Sequence, residues 1–100
     1  MPKVQVDSEL KEILPTFLKN RNTDCVKLSE LLANKDFESL KKLGHKVSGS
    51  SGGYGFSELG DIAKKIEISA SSQNEEEIKN LVDQFINYVQ SVEVEYVWWQ

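Results

Sequence analysis

Apolar residues recur at three- and four-residue spacing along almost all of this chain, and that periodicity constrains the fold more than any other feature. It predicts a succession of amphipathic helices. Asp7 or Ser8 can cap a short first helix carrying Leu10, Ile13 and Leu14. Pro15 lacks the amide donor that an interior turn needs, so it ends that helix or opens the next. The second helix reads from Pro15 to about Ala33, with Phe17, Leu18, Cys25, Leu28, Leu31 and Leu32 in a stripe interrupted near Asn20 to Thr23. Asn34-Lys35-Asp36 is the turn, and Asp36 is positioned as the N-cap of a third helix. That helix shows Phe37, Leu40, Leu43, Gly44 and Val47 on one face and ends near Gly52 or Gly53, with Gly55 in the following turn. A fourth helix spans Phe56 to Ser71, with Phe56, Leu59, Ile62, Ala63, Ile66 and Ala70 inward. After the turn Ser72-Gln73-Asn74, Asn74 caps a fifth helix. Its first turn carries Glu75, Glu76 and Glu77, where the helix dipole favours negative charge. Its apolar face holds Ile78, Leu81, Val82, Phe85, Ile86 and Val89.

The segment from Val92 to Gln100 alternates like a strand, but a single strand has no partner to pair with. It is expected to continue the last helix or to lie against the helices, with Trp98 and Trp99 as packing residues. Amphipathic helices joined by short turns must pack on one another. The expected fold is therefore all-α: an up-down antiparallel four-helix bundle with a short additional N-terminal helix, one domain over residues 1–100.

Composition narrows the function. With 100 residues the chain can bury one modest core and has no room for a nucleotide-binding catalytic domain beside it. The formal net charge of -4 argues against a nucleic-acid partner, which rewards a basic face. No apolar run reads as a signal peptide or a membrane span, so a cytoplasmic location and no membrane partner are expected. Cys25 is the only cysteine, which rules out an internal disulfide and leaves a cysteine-based zinc site unsupported. It reads as a small buried apolar residue. One histidine and one cysteine give no dedicated metal site, and the chain has neither a Gly-x-Ser-x-Gly elbow nor a triad.

His45 is the only histidine. At about 100° per residue, it lies roughly 140° from the centre of the third helix's apolar face, and it should face solvent. Lys41, Lys42, Gly49 and Gly52 share its side of the helix. An exposed helical glycine costs about 1 kcal/mol relative to alanine, so two of them beside one histidine need a reason. One reason is that the helix is ending. The other is access: bare backbone lets another protein approach the imidazole closely.

The stretch His45-Lys46-Val47-Ser48-Gly49-Ser50-Ser51-Gly52-Gly53-Tyr54-Gly55-Phe56-Ser57-Glu58-Leu59, continuing to Ile66-Glu67, resembles the histidine-containing phosphotransfer (HPt) domains. His45, Val47, Gly49, Ser50, Ser51, Gly55, Phe56, Leu59, Ile66 and Glu67 match the family's pattern. The resemblance implies a phosphorelay intermediate of two-component signalling. His45 would accept a phosphoryl group from an aspartyl-phosphate receiver domain or a hybrid sensor histidine kinase and pass it reversibly to a response-regulator aspartate. It implies no autokinase activity and no cofactor on this chain, with Mg²⁺ held by the partner receiver domain. Glu67 falls where the family holds a residue that orients the imidazole. Ser48 stands where the family usually carries a phosphoryl-neutralising lysine. Lys42, one turn before His45, is the preferred substitute, with Lys46 and Ser48 the other candidates for phosphoryl stabilisation. Gly49 and Gly52 would give the partner access. A monomer is expected. The loss of the lysine at Ser48 keeps a second reading open, a helical adaptor that binds receiver domains without transfer.

Overall fold

The computed structural model describes residues 2–98. Four α-helices dominate it: α1 (Leu14–Ala33), α2 (Phe37–Ser51), α3 (Ser57–Ser71) and α4 (Glu75–Ser91). Two short strands flank them, β1 (Lys3–Asp7) and β2 (Glu93–Val97). The turns behave as their sequences require. The Asp36 side chain accepts from the Ser39 amide at 3.2 Å and caps α2, and Asn74 caps α4 by accepting from the Glu77 amide at 3.2 Å. Lys35 and Gln73 each adopt the left-handed conformation just past a helix end, with φ of 54° and 55°. The following amides, of Asp36 and Asn74, reach back to the carbonyls of Leu31 and Ser69 and satisfy carbonyls left open at the helix termini.

The main contacts link α1 to α2 and α4, and α3 to the same two helices. Arg21 meets Ser50 near the start of α1 and the end of α2. Lys35 meets Glu75 where α1 has ended and α4 begins. Gly44 lies against Ala63 and Glu67, whereas Gly60 lies against Ser48 and Ser51, so α2 and α3 run in opposite directions. The core between the helices contains Leu14, Leu28, Leu40, Phe56, Leu59, Ile66, Ile78 and Phe85, each 0–1% exposed. Phe17 stacks on Phe56 and Tyr54, with ring centroids 5.2 and 4.3 Å apart. Cys25 is buried, and burial pushes its thiol up to about 11.

Three expectations need correction. The separate N-terminal helix is only a single 3-10 turn, Ser8–Leu10, capped by Asp7. Leu14 already belongs to α1, which carries Pro15 in its first turn, and Ile13 is 48% exposed. The tail neither extends α4 nor lacks a partner: β2 pairs in parallel with β1, Val4 opposite Val94 and Val6 opposite Tyr96. A parallel pair needs a long crossover, and the whole set of four helices provides it. Trp98 is not a packing residue, being 80% exposed. Trp99 lies outside the described residues.

The gap in the α1 stripe also has a cause. Arg21 and Asp24 are buried as an ion pair, Nε to Oδ2 at 2.8 Å, with side chains only 7% and 11% exposed. The Arg21 guanidinium lies 4.8 Å from the Phe17 ring centroid and donates to Ser50 Oγ at 3.0 Å. Burial raises the Asp24 carboxyl above its usual range, against the opposing pull of Arg21 and Lys46.

Candidate functional site

The site begins with a glycine. Gly44 sits on the buried face of α2, and a β-carbon there would lie 2.7 Å from the Ala63 carbonyl oxygen and 2.9 Å from the Glu67 amide nitrogen. Only hydrogen fits. The close approach brings the α3 backbone at Glu67 beside the residue that precedes His45. The Glu67 carboxylate then reaches the imidazole without extending into solvent: its side chain is 16% exposed, and its Oε2 lies 3.2 Å from His45 Nδ1.

His45 itself is 74% exposed, as its position opposite the apolar face requires. A carboxylate against Nδ1 favours the Nδ1–H tautomer of the neutral ring, the form that leaves the lone pair on Nε2. The two glycines that follow leave the approach open. Beyond the adjoining backbone, neither Gly49 nor Gly52 has an atom within 4 Å of where a β-carbon would stand.

A family model for the Hpt domain matches residues 12–93. The chain belongs to the Hpt domain family. Hpt domains act in histidine phosphotransfer in two-component and phosphorelay signalling, where they work with receiver domains and kinases. No curated protein and no solved structure matches the chain.

Within this Hpt domain the candidate cations differ in whether they line the hollow of His45. Lys42 lines one hollow with His45, Glu67, Glu38 and Lys41. Lys46 lines the grooves between α2 and α1, beside Arg21 and Ser50 on one side and beside Lys27 on the other, where Lys42 lines the groove with it. Its charge acts on Asp24. Ser48 is half-buried, with its carbonyl 3.5 Å from where a β-carbon on Gly60 would stand. His45, Glu67 and Lys42 therefore meet in one hollow that Lys46 does not line.

Two residues of this neighbourhood were not singled out from the sequence. One is Gly44, whose signal was a glycine in the middle of an apolar helix face. The other is Lys64, whose Nζ lies 3.0 Å from Glu67 Oε1, the oxygen that His45 does not use. The spacing of Lys64 and Glu67 places them one turn apart on α3 and was readable in advance. Lys64, then His45, hold the Glu67 carboxyl below its usual range, although partial burial opposes them.

Among the described residues no group of three His, Cys, Asp or Glu side chains is placed to hold a metal ion. No described helix is long and apolar enough to cross a membrane.

Proposed function

We propose that His45 is the phosphoryl acceptor of a phosphorelay intermediate, with Glu67 orienting its ring and Lys42 screening the incoming charge. The observation that carries this reading is the 3.2 Å contact between Glu67 Oε2 and His45 Nδ1 on an otherwise exposed imidazole. The contacts of neighbouring helices support the finer architecture, an up-down antiparallel bundle that keeps His45 on a rigid helix.

The chemistry follows from the ring. The Nε2 lone pair attacks the phosphorus of a receiver domain's aspartyl phosphate. The N–P bond forms as the P–O bond to the aspartate breaks, and the carboxylate leaves. The ring keeps its Nδ1 proton and gains positive charge, which the Glu67 carboxylate stabilises. The reverse reaction returns the phosphoryl group to an aspartate. Such transfers proceed through a loose transition state, so the carrier contributes position and charge stabilisation rather than acid-base chemistry. The receiver domain would supply the aspartate and a Mg²⁺ ion that neutralises phosphoryl charge. Gly49 and Gly52 leave room for that partner, and Lys41 and Lys42 present positive charge toward its acidic centre.

The test is phosphoryl exchange with a panel of phosphorylated receiver domains. Wild-type protein should acquire an acid-labile, base-stable phosphate, and His45→Gln should acquire none while keeping its helix content. Label that persists in His45→Gln removes His45 from the mechanism. Stable receiver binding with no label on the wild type selects the adaptor reading, which the uncharged Ser48 favours.

A further inference from the structure

We propose that Lys64 is a positioning residue of this site: by engaging Oε1 of Glu67 it fixes the carboxylate so that Oε2 accepts the hydrogen bond that His45 Nδ1–H donates. The inference rests on the reading of Glu67 as the residue that orients His45.

A lone carboxylate is loosely held. The terminal torsion of a glutamate is broad and nearly two-fold, so one hydrogen bond leaves the group free to swivel and exchange its oxygens. In this site the two oxygens have different partners. Oε1 lies 3.0 Å from Lys64 Nζ, and Oε2 lies 3.2 Å from His45 Nδ1. Two partners in different directions define the plane of the group. The chain segments behind them are fixed as well, because Lys64 and Glu67 share one turn of α3 and Gly44 presses α2 against the backbone of that turn.

Charge leads to the same assignment. A carboxylate that stabilises the imidazolium character of a phosphorylated ring must be ionised, and Glu67 is only 16% exposed. The Lys64 ammonium offsets what burial would otherwise cost that charge. Other charged groups face this hollow from α2, namely Glu38, Lys41 and Lys42. Lys64 is the cation in direct contact with Glu67 among the described residues. Its side chain is 53% exposed, so the ion pair contributes little to global stability, and its loss should appear at the histidine rather than in unfolding.

The experiment reads the ring directly. In the full chain, labelled with ¹⁵N, the His45 nitrogen shifts report the two neutral tautomers. Phosphorylation by phosphoramidate then reports nucleophilicity without any partner protein. The wild type should be mainly the Nδ1–H form. Lys64→Met should shift the ring toward the Nε2–H form and slow phosphorylation about tenfold, the low end of what outer partners contribute at metal-bound histidines. Lys64→Arg should restore both, and thermal unfolding should be unchanged in either variant. An unchanged tautomer ratio in Lys64→Met, or failure of Lys64→Arg to restore it, overturns the role of Lys64. Glu67→Ala separates the two levels of the argument. If it shifts the ring and Lys64→Met does not, only the lysine is dismissed. If it leaves the ring unchanged, the orienting role of Glu67 falls and that of Lys64 with it.

Discussion

At the scale of single residues, the glycines of α2 do opposite jobs, and the same substitution should separate them. Gly44 is in contact with α3, and the atoms a β-carbon would strike are backbone, which cannot rotate away. Gly44→Ala should force the two helices apart, lowering stability by about 1–3 kcal/mol in urea unfolding as overpacked cores do. It should also lengthen the Glu67–His45 contact and weaken the preference for the Nδ1–H tautomer. Gly49 faces open space. Gly49→Ala should therefore stabilise the domain by about 0.5–1 kcal/mol through helix propensity alone. Phosphorylation by a small donor should be unaffected, while transfer from a receiver domain should slow because the added methyl occupies the approach. A Gly44→Ala variant as stable as the wild type would show that the close packing of α2 on α3 is wrong.

At the scale of elements, helices were legible wherever the apolar spacing was unbroken. Every inward residue assigned to α3 is buried, from Phe56 to Ala70, because a continuous 3.6-residue pattern has one way to face a core. The Asp36 and Asn74 caps were equally plain. His45 was legible as an exposed residue from helix geometry, and Glu67 as its partner from family resemblance. The α1 interior was not. Its stripe breaks at Asn20–Thr23, and periodicity cannot indicate that a charged residue fills the gap, since a buried charge is recognisable only with its partner. The partner, Asp24, lies three residues on in the same helix. Removing one member should be costly: Asp24→Ala leaves a buried guanidinium without its counter-charge and should destabilise by about 3–5 kcal/mol. Replacing both, with Arg21→Met and Asp24→Leu, should recover most of that loss, as substituting a whole buried pair often does. A urea double-mutant cycle measures the difference. If Asp24→Ala costs under about 1 kcal/mol, the pair behaves as a surface pair and its burial is wrong.

At the scale of the whole molecule, the chain's two ends are paired, and local sequence reading cannot see this. β1 and β2 are separated by all four helices, so the alternation of the C-terminal segment reads as an isolated strand, and nothing local marks Lys3–Asp7 as its partner. The bundle supplies what the segments lack, by delivering Val92 to the end where the chain began. A two-stranded sheet is marginal alone and survives because it rests on the helices. Val6 is only 2% exposed within the core, and the Gln5 carbonyl lies against Gly55, whose φ of 88° turns the chain between α2 and α3. The sheet is thus tied to the α2–α3 corner, whereas Glu67 meets His45 one and a half turns up α2 from its end. Val6→Ala removes two methyl groups from this anchor and should cost about 2 kcal/mol, transfer and cavity together. The loss should be uneven. The parallel ladder directs the amides of Val4, Val6, Glu95 and Val97 into the pairing, and these should lose hydrogen-exchange protection first, by sub-global opening. The amides of Ile62 to Ile66 in α3 should lose only what global stability loses, and the His45 tautomer ratio should stay as in the wild type. Equal loss of protection in sheet and helix amides, relative to the wild type, would mean that the chain ends unfold only with the helices. A change at His45 would mean that the sheet helps to set the geometry of this histidine from the far side of the corner.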